Sequence, residues 1–525
     1  MRDSTLLRKG STVKSCSGIE KFSIGIRWCR AFISTVIALS VSNGWHIVAA
    51  GRDQPNIVFI LADDLGCGDV GCYGQALIKT PHLDRLASEG MRFERHVSGS
   101  AVCAPSRCVL LTGLHPGHAS IRNNRETKPE GQWAIPENSR TLATRLKARG
   151  YATGIFGKWG LGGPGTTGEP LRQGFDRFYG YNCQAIAHNS YPTHLWNDRD
   201  RIEIGNPPFS AHDTFKPDER PEDLKNYRRF SGNHYAPDLI EEQAIAFAEE
   251  HAREPFFLYW PTTVPHLALQ VPEESLKEYN ALWDDPAYQG GRGYLPHATP
   301  RAAYAAMVTR MDRGVGRLLE RLKALGIDNN TIVIFSSDNG PLYDALGGTD
   351  SEFFNSHKGL RGRKGSLYEG GVRVPCIVRW PGVVPAGTVS KRVTGFEDWM
   401  PTLLEFTGTE KLPDGIDGIS FAATLRGEKQ PEREFLYREF SGYGGQQSVI
   451  VGSWKAIRQK LDTRSTDITS TTELYDLSID PTESHNVADE HPEVVRWLEG
   501  FLQREHVYNK DFPIRGIDAM PRGMP

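Results

Sequence analysis

Two uninterrupted apolar runs set the strongest limit on what this chain can fold into. Asn56-Ile57-Val58-Phe59-Ile60-Leu61 and Thr331-Ile332-Val333-Ile334-Phe335 place apolar side chains at successive positions. Successive residues of a strand point to opposite faces, so each run needs cover on both sides. A strand of that kind belongs inside a mostly parallel sheet with helices above and below it. The rest of the pattern agrees. Helices are expected at 81–90, 139–149 (with Ser139 as N-cap and Gly150 as stop), 238–251, 302–325 and 398–406. Further strands are expected at 151–156, 255–260 and 372–380. The longest helix sets Met311, Val315, Leu318 and Leu322 on one stripe. The expected fold class is therefore α/β, a large mixed and mostly parallel sheet sandwiched by helices.

Past residue 430 the pattern changes to short strands at 434–440, 448–458 and 473–476 and one helix at 492–505. That reads as a small C-terminal α+β subdomain with an antiparallel sheet. The division expected is a signal peptide over 1–50, a catalytic domain over 51–430 and the C-terminal subdomain over 431–525. Residues 1–30 carry seven basic and two acidic side chains, and 31–50 carry no charge. Val48-Ala49-Ala50 then offers the small residues of a cleavage site, so the segment reads as an export leader, with the protein expected in the periplasm or secreted. Its apolar run is broken by Ser42, Asn43, Gly44 and His46, too short for stable membrane insertion. Without those fifty residues the chain holds 54 basic against 62 acidic side chains, a formal charge of −8. Such a body is a poor general binder of nucleic acid. Six cysteines remain after the leader, too few for a disulfide scaffold, although Cys67 and Cys72 are close enough in sequence to pair.

Reactive groups in open α/β sheets collect beyond the carboxyl ends of the strands. Asp63 and Asp64 follow the first apolar run, and Asp338 and Asn339 follow the second. Three carboxylates and an amide oxygen make an oxygen-only ligand set suited to Ca²⁺, with Mg²⁺ the other hard cation it would take. Strand-end Asp and Asn also cap turns, so each pair alone says little.

A third segment changes that. Cys103-Ala104-Pro105-Ser106-Arg107 runs into Leu110-Leu111-Thr112-Gly113, and Cys-x-Pro-Ser-Arg followed by Leu-x-Thr-Gly resembles the signature of the type I, formylglycine-dependent sulfatases. Gly157-Lys158-Trp159, Val264-Pro265-His266, Ser337-Asp338-Asn339-Gly340, the stretch around Lys364, and Glu473-Leu474-Tyr475-Asp476 follow in the order of that family. The resemblance covers nearly the whole chain after the leader. It is to the alkaline-phosphatase-like superfamily and, within it, to bacterial carbohydrate sulfatases of arylsulfatase A-like type.

The resemblance implies an enzyme that hydrolyses sulfate esters of carbohydrates. Cys103 would be converted to Cα-formylglycine by a formylglycine-generating maturation enzyme, and the hydrated aldehyde would attack sulfur and later release sulfate. Asp63, Asp64, Asp338 and Asn339, with residue 103, would hold Ca²⁺. Arg107 would orient the nucleophile, Lys158 and Lys364 would clamp the sulfate oxygens, and His266 would protonate the leaving alcohol. The family commonly has histidine where this chain has Gly160 in Gly157-Lys158-Trp159-Gly160-Leu161-Gly162. His188 is the candidate to stand in for it or to bind substrate, with His115, His118 and His357 weaker ones. Loops 162–174, 181–213 and 290–300, rich in Gly, Pro and aromatic residues, are expected to line a pocket for a galactose or N-acetylgalactosamine sulfate. Two other functions share parts of this pattern: a formylglycine-dependent phosphodiesterase or phosphonate monoester hydrolase, and a sulfated-glycan-binding protein without catalysis.

Overall fold

The computed structural model describes residues 54–409, 411–462 and 471–518; the proposed leader lies outside them. Strands run in chain order as β1 (Asn56–Ala62), β2 (Met91–Val97), β3 (Glu126–Thr127), β4 (Gly131–Gln132), β5 (Ala152–Lys158), β6 (Arg177–Tyr181), β7 (His194–Asn197) and β8 (Asp200–Glu203). They continue as β9 (Phe256–Pro261), β10 (Thr331–Ser337), β11 (Arg373–Arg379), β12 (Thr388–Ser390) and β13 (Thr394–Gly395). A second group comprises β14 (Leu436–Phe440), β15 (Gln446–Val451), β16 (Trp454–Gln459) and β17 (Glu473–Asp476).

The main sheet has 11 strands in the order β12-β2-β11-β10-β1-β9-β5-β6-β7-β8, with β13 also on β2. Its centre, β10-β1-β9-β5-β6, is parallel throughout. The flanks turn antiparallel, at β11 on one side and at β7 and β8 on the other. The mixed, mostly parallel sheet inferred from the apolar runs is what forms, and β1 and β10 lie side by side in register from Asn56↔Thr331 to Ala62↔Ser337.

β1 shows why both faces are apolar. Val58, Ile60 and Ala62 enter a core made with the helices Pro81–Ser88, Ala236–Glu250 and Pro300–Ala324. Ile57, Phe59 and Leu61 enter a second core made with the helices Cys103–Thr112, Leu142–Lys147 and Trp399–Phe406.

Three local expectations need correction. The helix after Pro136 begins at Leu142 with Thr141 as N-cap, whose hydroxyl accepts the Thr144 amide at 3.1 Å. Ser139 instead sits in a turn closed onto the Pro136 carbonyl. Residues 448–458 are a hairpin, β15 and β16, folded over at Gly452 with φ +60°. Cys67 and Cys72 are both free thiols, Cys67 lying against the Arg373 carbonyl.

The antiparallel sheet β14-β15-β16-β17 buries one face beneath the helix Pro492–Arg504, with Leu498, Phe501 and Leu502 on Tyr437, Val449 and Leu474. Its other side is bound to the main sheet by buried charge. Arg438 grips Glu397 with two nitrogens at 3.0 and 2.8 Å. Lys455, fully buried, lies 2.9 Å from Glu369 and 2.8 Å from Glu483. Glu369 is held in turn by Arg373, and together Arg373 and Lys455 overcome the cost of burial and lower its carboxyl to about 2.

Lys455→Met removes the cation that two buried carboxylates share. Breaking such a pair from one side costs about 3–5 kcal/mol. The variant is expected to unfold at clearly lower denaturant concentration than the wild type, as read by circular dichroism.

Candidate active site

The residues singled out in the sequence converge at the carboxyl edge of the parallel strands. Asp63 and Asp64 follow β1, Asp338 and Asn339 follow β10, and Lys158 is the last residue of β5. Adjacent parallel strands that end in step bring these groups together although the chain separates Asp64 from Asn339 by 275 positions. Cys103 opens the helix Cys103–Thr112, every residue of which is buried. His266 and Lys364 come from the loops after β9 and β10.

Residue 103 lies among charges. The Cys103 Sγ is 3.5 Å from Asp63 Oδ1 and 3.6 Å from the Lys158 ammonium, while Lys158 donates to Asp63 Oδ2 at 2.6 Å. Lys364 donates to Asp64 Oδ2 at 2.9 Å, and His266 Nε2 stands 3.4 Å from the same oxygen. Asn339 donates its amide to Asp64 Oδ1 at 2.7 Å. Asp64 adopts φ 68° and gives its backbone N–H to Asp338 Oδ1, which turns its carboxylate back into the cluster. Ligand atoms of Asp63, Asp64, Cys103 and His266 all fall within 4.8 Å of one another.

Arg107, one helical turn after Cys103, is committed to Asp338. Its Nε and Nη2 donate to Asp338 Oδ2 at 3.0 and 2.8 Å, Nη1 donates to the Lys158 carbonyl, and Nη2 reaches to 3.6 Å from Asp63. With no exposed surface, it fixes the first turn of the nucleophile helix against both carboxylate-bearing strand ends.

Burial and neighbours pull the titrations apart. Burial alone would raise Asp63, but Lys158, His266, Arg107 and Lys364 outweigh it and hold the carboxyl well below its usual range. Burial with neighbouring Asp63 raises Asp64 and lifts Asp338 to about 7. Burial pushes the Cys103 thiol up to about 12. An unmodified cysteine here would be a poor nucleophile, since the reactive species is the thiolate. Burial, then Lys364 and Lys158, drive the His266 imidazole well below its ordinary value. Its Nδ1 faces the Leu267 carbonyl at 2.6 Å and must donate there, so Nε2 is the nitrogen turned to the site.

His188 is placed against His266. The two rings are stacked with centroids 4.6 Å apart and planes 10° from parallel, and His188 Nδ1 meets His212 Nε2 at 3.3 Å. Tyr294 completes the wall, 4.7 Å from the His212 ring and 6.0 Å from His266, at a backbone φ of 62°. The loops holding His212 and Tyr294 were marked in the sequence; the two residues were not. The cue for Tyr294 is the glycine-rich run Gly290-Gly291-Arg292-Gly293 before it. The weaker histidines are engaged elsewhere. His115 meets Glu505, His118 meets Asp417, and His357 faces the Leu360 carbonyl.

Two family models match the chain, "Sulfatase" over residues 55–409 and "N-sulphoglucosamine sulphohydrolase, C-terminal" over 362–506. Among named proteins, the N-acetylgalactosamine-6-O-sulfatase of Bacteroides thetaiotaomicron is 31% identical over 504 residues, covering 86% of this chain and 93% of that protein. Mouse steryl-sulfatase is 32% identical over 445 residues, covering 74% and 68%. Among solved structures, a 6S-sulfatase from Bacteroides thetaiotaomicron glycosaminoglycan metabolism superposes with a TM-score of 0.68 at 28% identity, over 86% of this chain and 99% of that one. With a family model over residues 55–409 and relatives more than 30% identical over most of their length, the chain belongs to the sulfatase family and is an enzyme that hydrolyses sulfate esters.

Proposed function

We propose that the enzyme removes sulfate from a sulfated carbohydrate outside the cytoplasm, with residue 103 matured to Cα-formylglycine and Ca²⁺ held beside it. The observation that carries this is the place of residue 103: at the head of a buried helix, between Asp63 and Lys158, in a setting where its thiol is held protonated. A hydrated aldehyde supplies there the nucleophilic oxygen that the thiol does not. The leader of export type supports the location. Among the described residues no helix is long and apolar enough to cross a membrane.

The donor set fits a hard cation. Asp63, Asp64 and Asp338 offer carboxylate oxygens, and the Asn339 Oδ1 is buried with no hydrogen-bond partner. A buried carbonyl oxygen left unpaired in a carboxylate cluster is what a cation ligand looks like before the ion is counted. Ca²⁺ bound there would favour ionisation of the nucleophilic hydroxyl and offset charge on the sulfate.

The chain's own groups have distinct tasks. Lys158 and Lys364 are held charged beside Asp63 and Asp64 and face the space a sulfate group would enter. Arg107 holds Asp338 and the helix turn that aims residue 103. His266, its Nδ1 donating to a carbonyl, presents Nε2 to the leaving alcohol; burial and two nearby lysines keep the free imidazole neutral, and the negative charge of a bound sulfate ester would favour the imidazolium that protonates that alcohol. His188, His212 and Tyr294 form the wall on the leaving-group side, where a galactose or N-acetylgalactosamine ring would lie. Membership of the sulfatase family favours sulfate over the phosphate and phosphonate esters that share the Cys-x-Pro-Ser-Arg nucleophile.

The absent family histidine has a local physical cause. Gly160 has φ +79°, and a Cβ there would come within 2.7 Å of the Gln184 Nε2. Gln184 is almost fully buried, and this nitrogen has no partner. The Gln184 amide thus occupies the space into which a side chain at position 160 would project.

Four measurements test the proposal. Peptide mass spectrometry of enzyme made in a host with the maturation machinery is expected to find formylglycine at 103, and Cys103→Ala to abolish turnover while keeping the fold; a plain thiol in fully active enzyme would overturn the assignment. Asp338→Ala removes a ligand and the partner of Arg107. Its activity is expected to fall by about a hundredfold or more, the scale of a lost electrostatic contact. Exhaustive chelation of the wild type should do the same, and undiminished activity of metal-stripped enzyme counts against the cation. Gly160→His must either hold the left-handed conformation, which costs an L residue about 1–2 kcal/mol, or shift the backbone, and it must displace Gln184. It is expected to lower the melting temperature without raising kcat, and adding Gln184→Ala should restore part of the lost stability. Finally, initial rates on galactose and N-acetylgalactosamine sulfates, beside matched phosphate esters, are expected to show turnover of the sulfates; faster phosphate release would select the other hydrolase.

A further inference from the structure

A groove of about 540 Å³ runs along the outside of the loop that carries Lys364. One wall is that loop itself, through Gly362, Gly365 and Ser366; the others bring Tyr343, Arg361, Tyr443 and Gln459. Tyr343 stands four residues after Asn339 on the loop leaving β10, and Tyr443 tips the hairpin between β14 and β15. The groove therefore draws together the two catalytic loops and the C-terminal sheet.

The two tyrosines are held out where packing alone would not put them. Tyr443 is 75% exposed and Tyr343 50% exposed. Tyr443 has φ 51°, a conformation costly for a bulky residue, and its ring edge rests on Phe440 with centroids 5.6 Å apart. That ring also lies directly over the Gly365 backbone; a Cβ on Gly365 would stand 2.1 Å from the ring. Gly365 gives its N–H to the Ala101 carbonyl, two residues before Cys103, and Lys364 gives its own to Pro341. Gln446 braces the same turn, donating to the Gly365 carbonyl at 2.8 Å and accepting the Leu367 amide at 3.0 Å. The exposed ring is thus fixed one residue from a proposed sulfate-clamping lysine.

Polar groups complete the groove. The Arg361 guanidinium lies 3.9 Å over the Tyr368 ring, donates to the Tyr475 hydroxyl at 2.7 Å, and has Glu473 at 3.5 Å. Its charge is largely balanced by that carboxylate and its Nη1 is engaged by Tyr475 and the Glu483 carbonyl, so what the groove offers is exposed aromatic rings beside polar side chains, and no strong anion trap. Such rings suit the C–H face of a pyranose.

Resting on the carbohydrate reading above, we infer that this groove holds the sugar next to the sulfated one, so that the substrate is an oligosaccharide and the C-terminal hairpin sets a preference for chain length. The Lys364 loop separates the two tasks: its ammonium faces the sulfate, and its outer backbone, with Tyr443 laid upon it, faces the neighbouring ring.

The test compares kcat/KM on an aryl sulfate, a sulfated monosaccharide and the tetrasaccharide ending in that residue, in the galactose and N-acetylgalactosamine series. The wild type is expected to prefer the tetrasaccharide to the monosaccharide by about tenfold or more. Tyr443→Ala and Tyr343→Ala are expected to reduce that preference, leaving the aryl sulfate and monosaccharide rates in place, and Tyr443→Phe is expected to keep it. Equal rates on mono- and tetrasaccharide in the wild type, or a preference untouched by both alanine variants, would overturn the groove alone. Turnover of the aryl sulfate with none of any sulfated sugar would overturn the carbohydrate reading and the groove with it.

Discussion

Three carboxylates buried side by side at the ends of two adjacent strands are the constraint around which this protein is arranged. Asp63, Asp64 and Asp338 have almost no exposed surface, and like charges so placed repel strongly in a poorly screened interior. Arg107, Lys158 and Lys364 answer them one for one. Three cations among three carboxylates bring the cluster close to neutrality, and the raised titration of Asp64 and Asp338 relieves the repulsion that remains. Ca²⁺ held there as proposed would favour the ionised form of all three carboxylates, and a sulfate ester would bring negative charge to meet the added positive charge. On that proposal, substrate affinity and metal affinity would draw on the same electrostatic source.

That arrangement explains why the fold surrounds the site so closely. Strands β1 and β10 must end in step, so their register is fixed along the whole of both. The helix Cys103–Thr112 starts at a set depth, and it is buried at every residue, with Gly113 at φ +70° closing it. Arg107 is the cross-piece that joins the two demands, since one side chain touches Asp338, Asp63 and the backbone of Lys158.

Much of this was legible in the sequence, for physical reasons that also mark where legibility stopped. Runs such as Ile57–Leu61 admit one environment, so the central strands and the Asp pairs after them could be read directly. The motif around Cys103 did the rest for the site. β2, Met91-Arg92-Phe93-Glu94-Arg95-His96-Val97, was not foreseen, because its interspersed charges hide a strand that lies on the antiparallel flank of the sheet. The helix cap at Thr141 was missed because Ser139 two residues earlier has the same chemistry; the Pro136 turn decides between them. His212, Tyr294 and Tyr443 lie on loops where no periodicity constrains a side chain. Only the three-dimensional course of those loops brings Tyr294 to His266, His212 to the His188 ring stacked on it, and Tyr443 to Gly365 beside Lys364.

The C-terminal sheet looks from its sequence like an appendage, and its contacts argue otherwise. Lys364 sits in a turn with Gly362 and Gly365 both at positive φ, a backbone that holds no shape unaided. The sheet supplies the bracing: Gln446 bonds both sides of the turn, Arg361 at its start reaches Tyr475 and the Glu483 carbonyl, and Lys455 holds Glu369 at its end. Each of these bonds joins the loop to a different part of the C-terminal region, so the loop cannot shift without breaking several at once. If Lys364 clamps a sulfate oxygen as proposed, that triangulation would give it its precision. The small sheet is therefore a brace for the loop that carries Lys364, not an appendage.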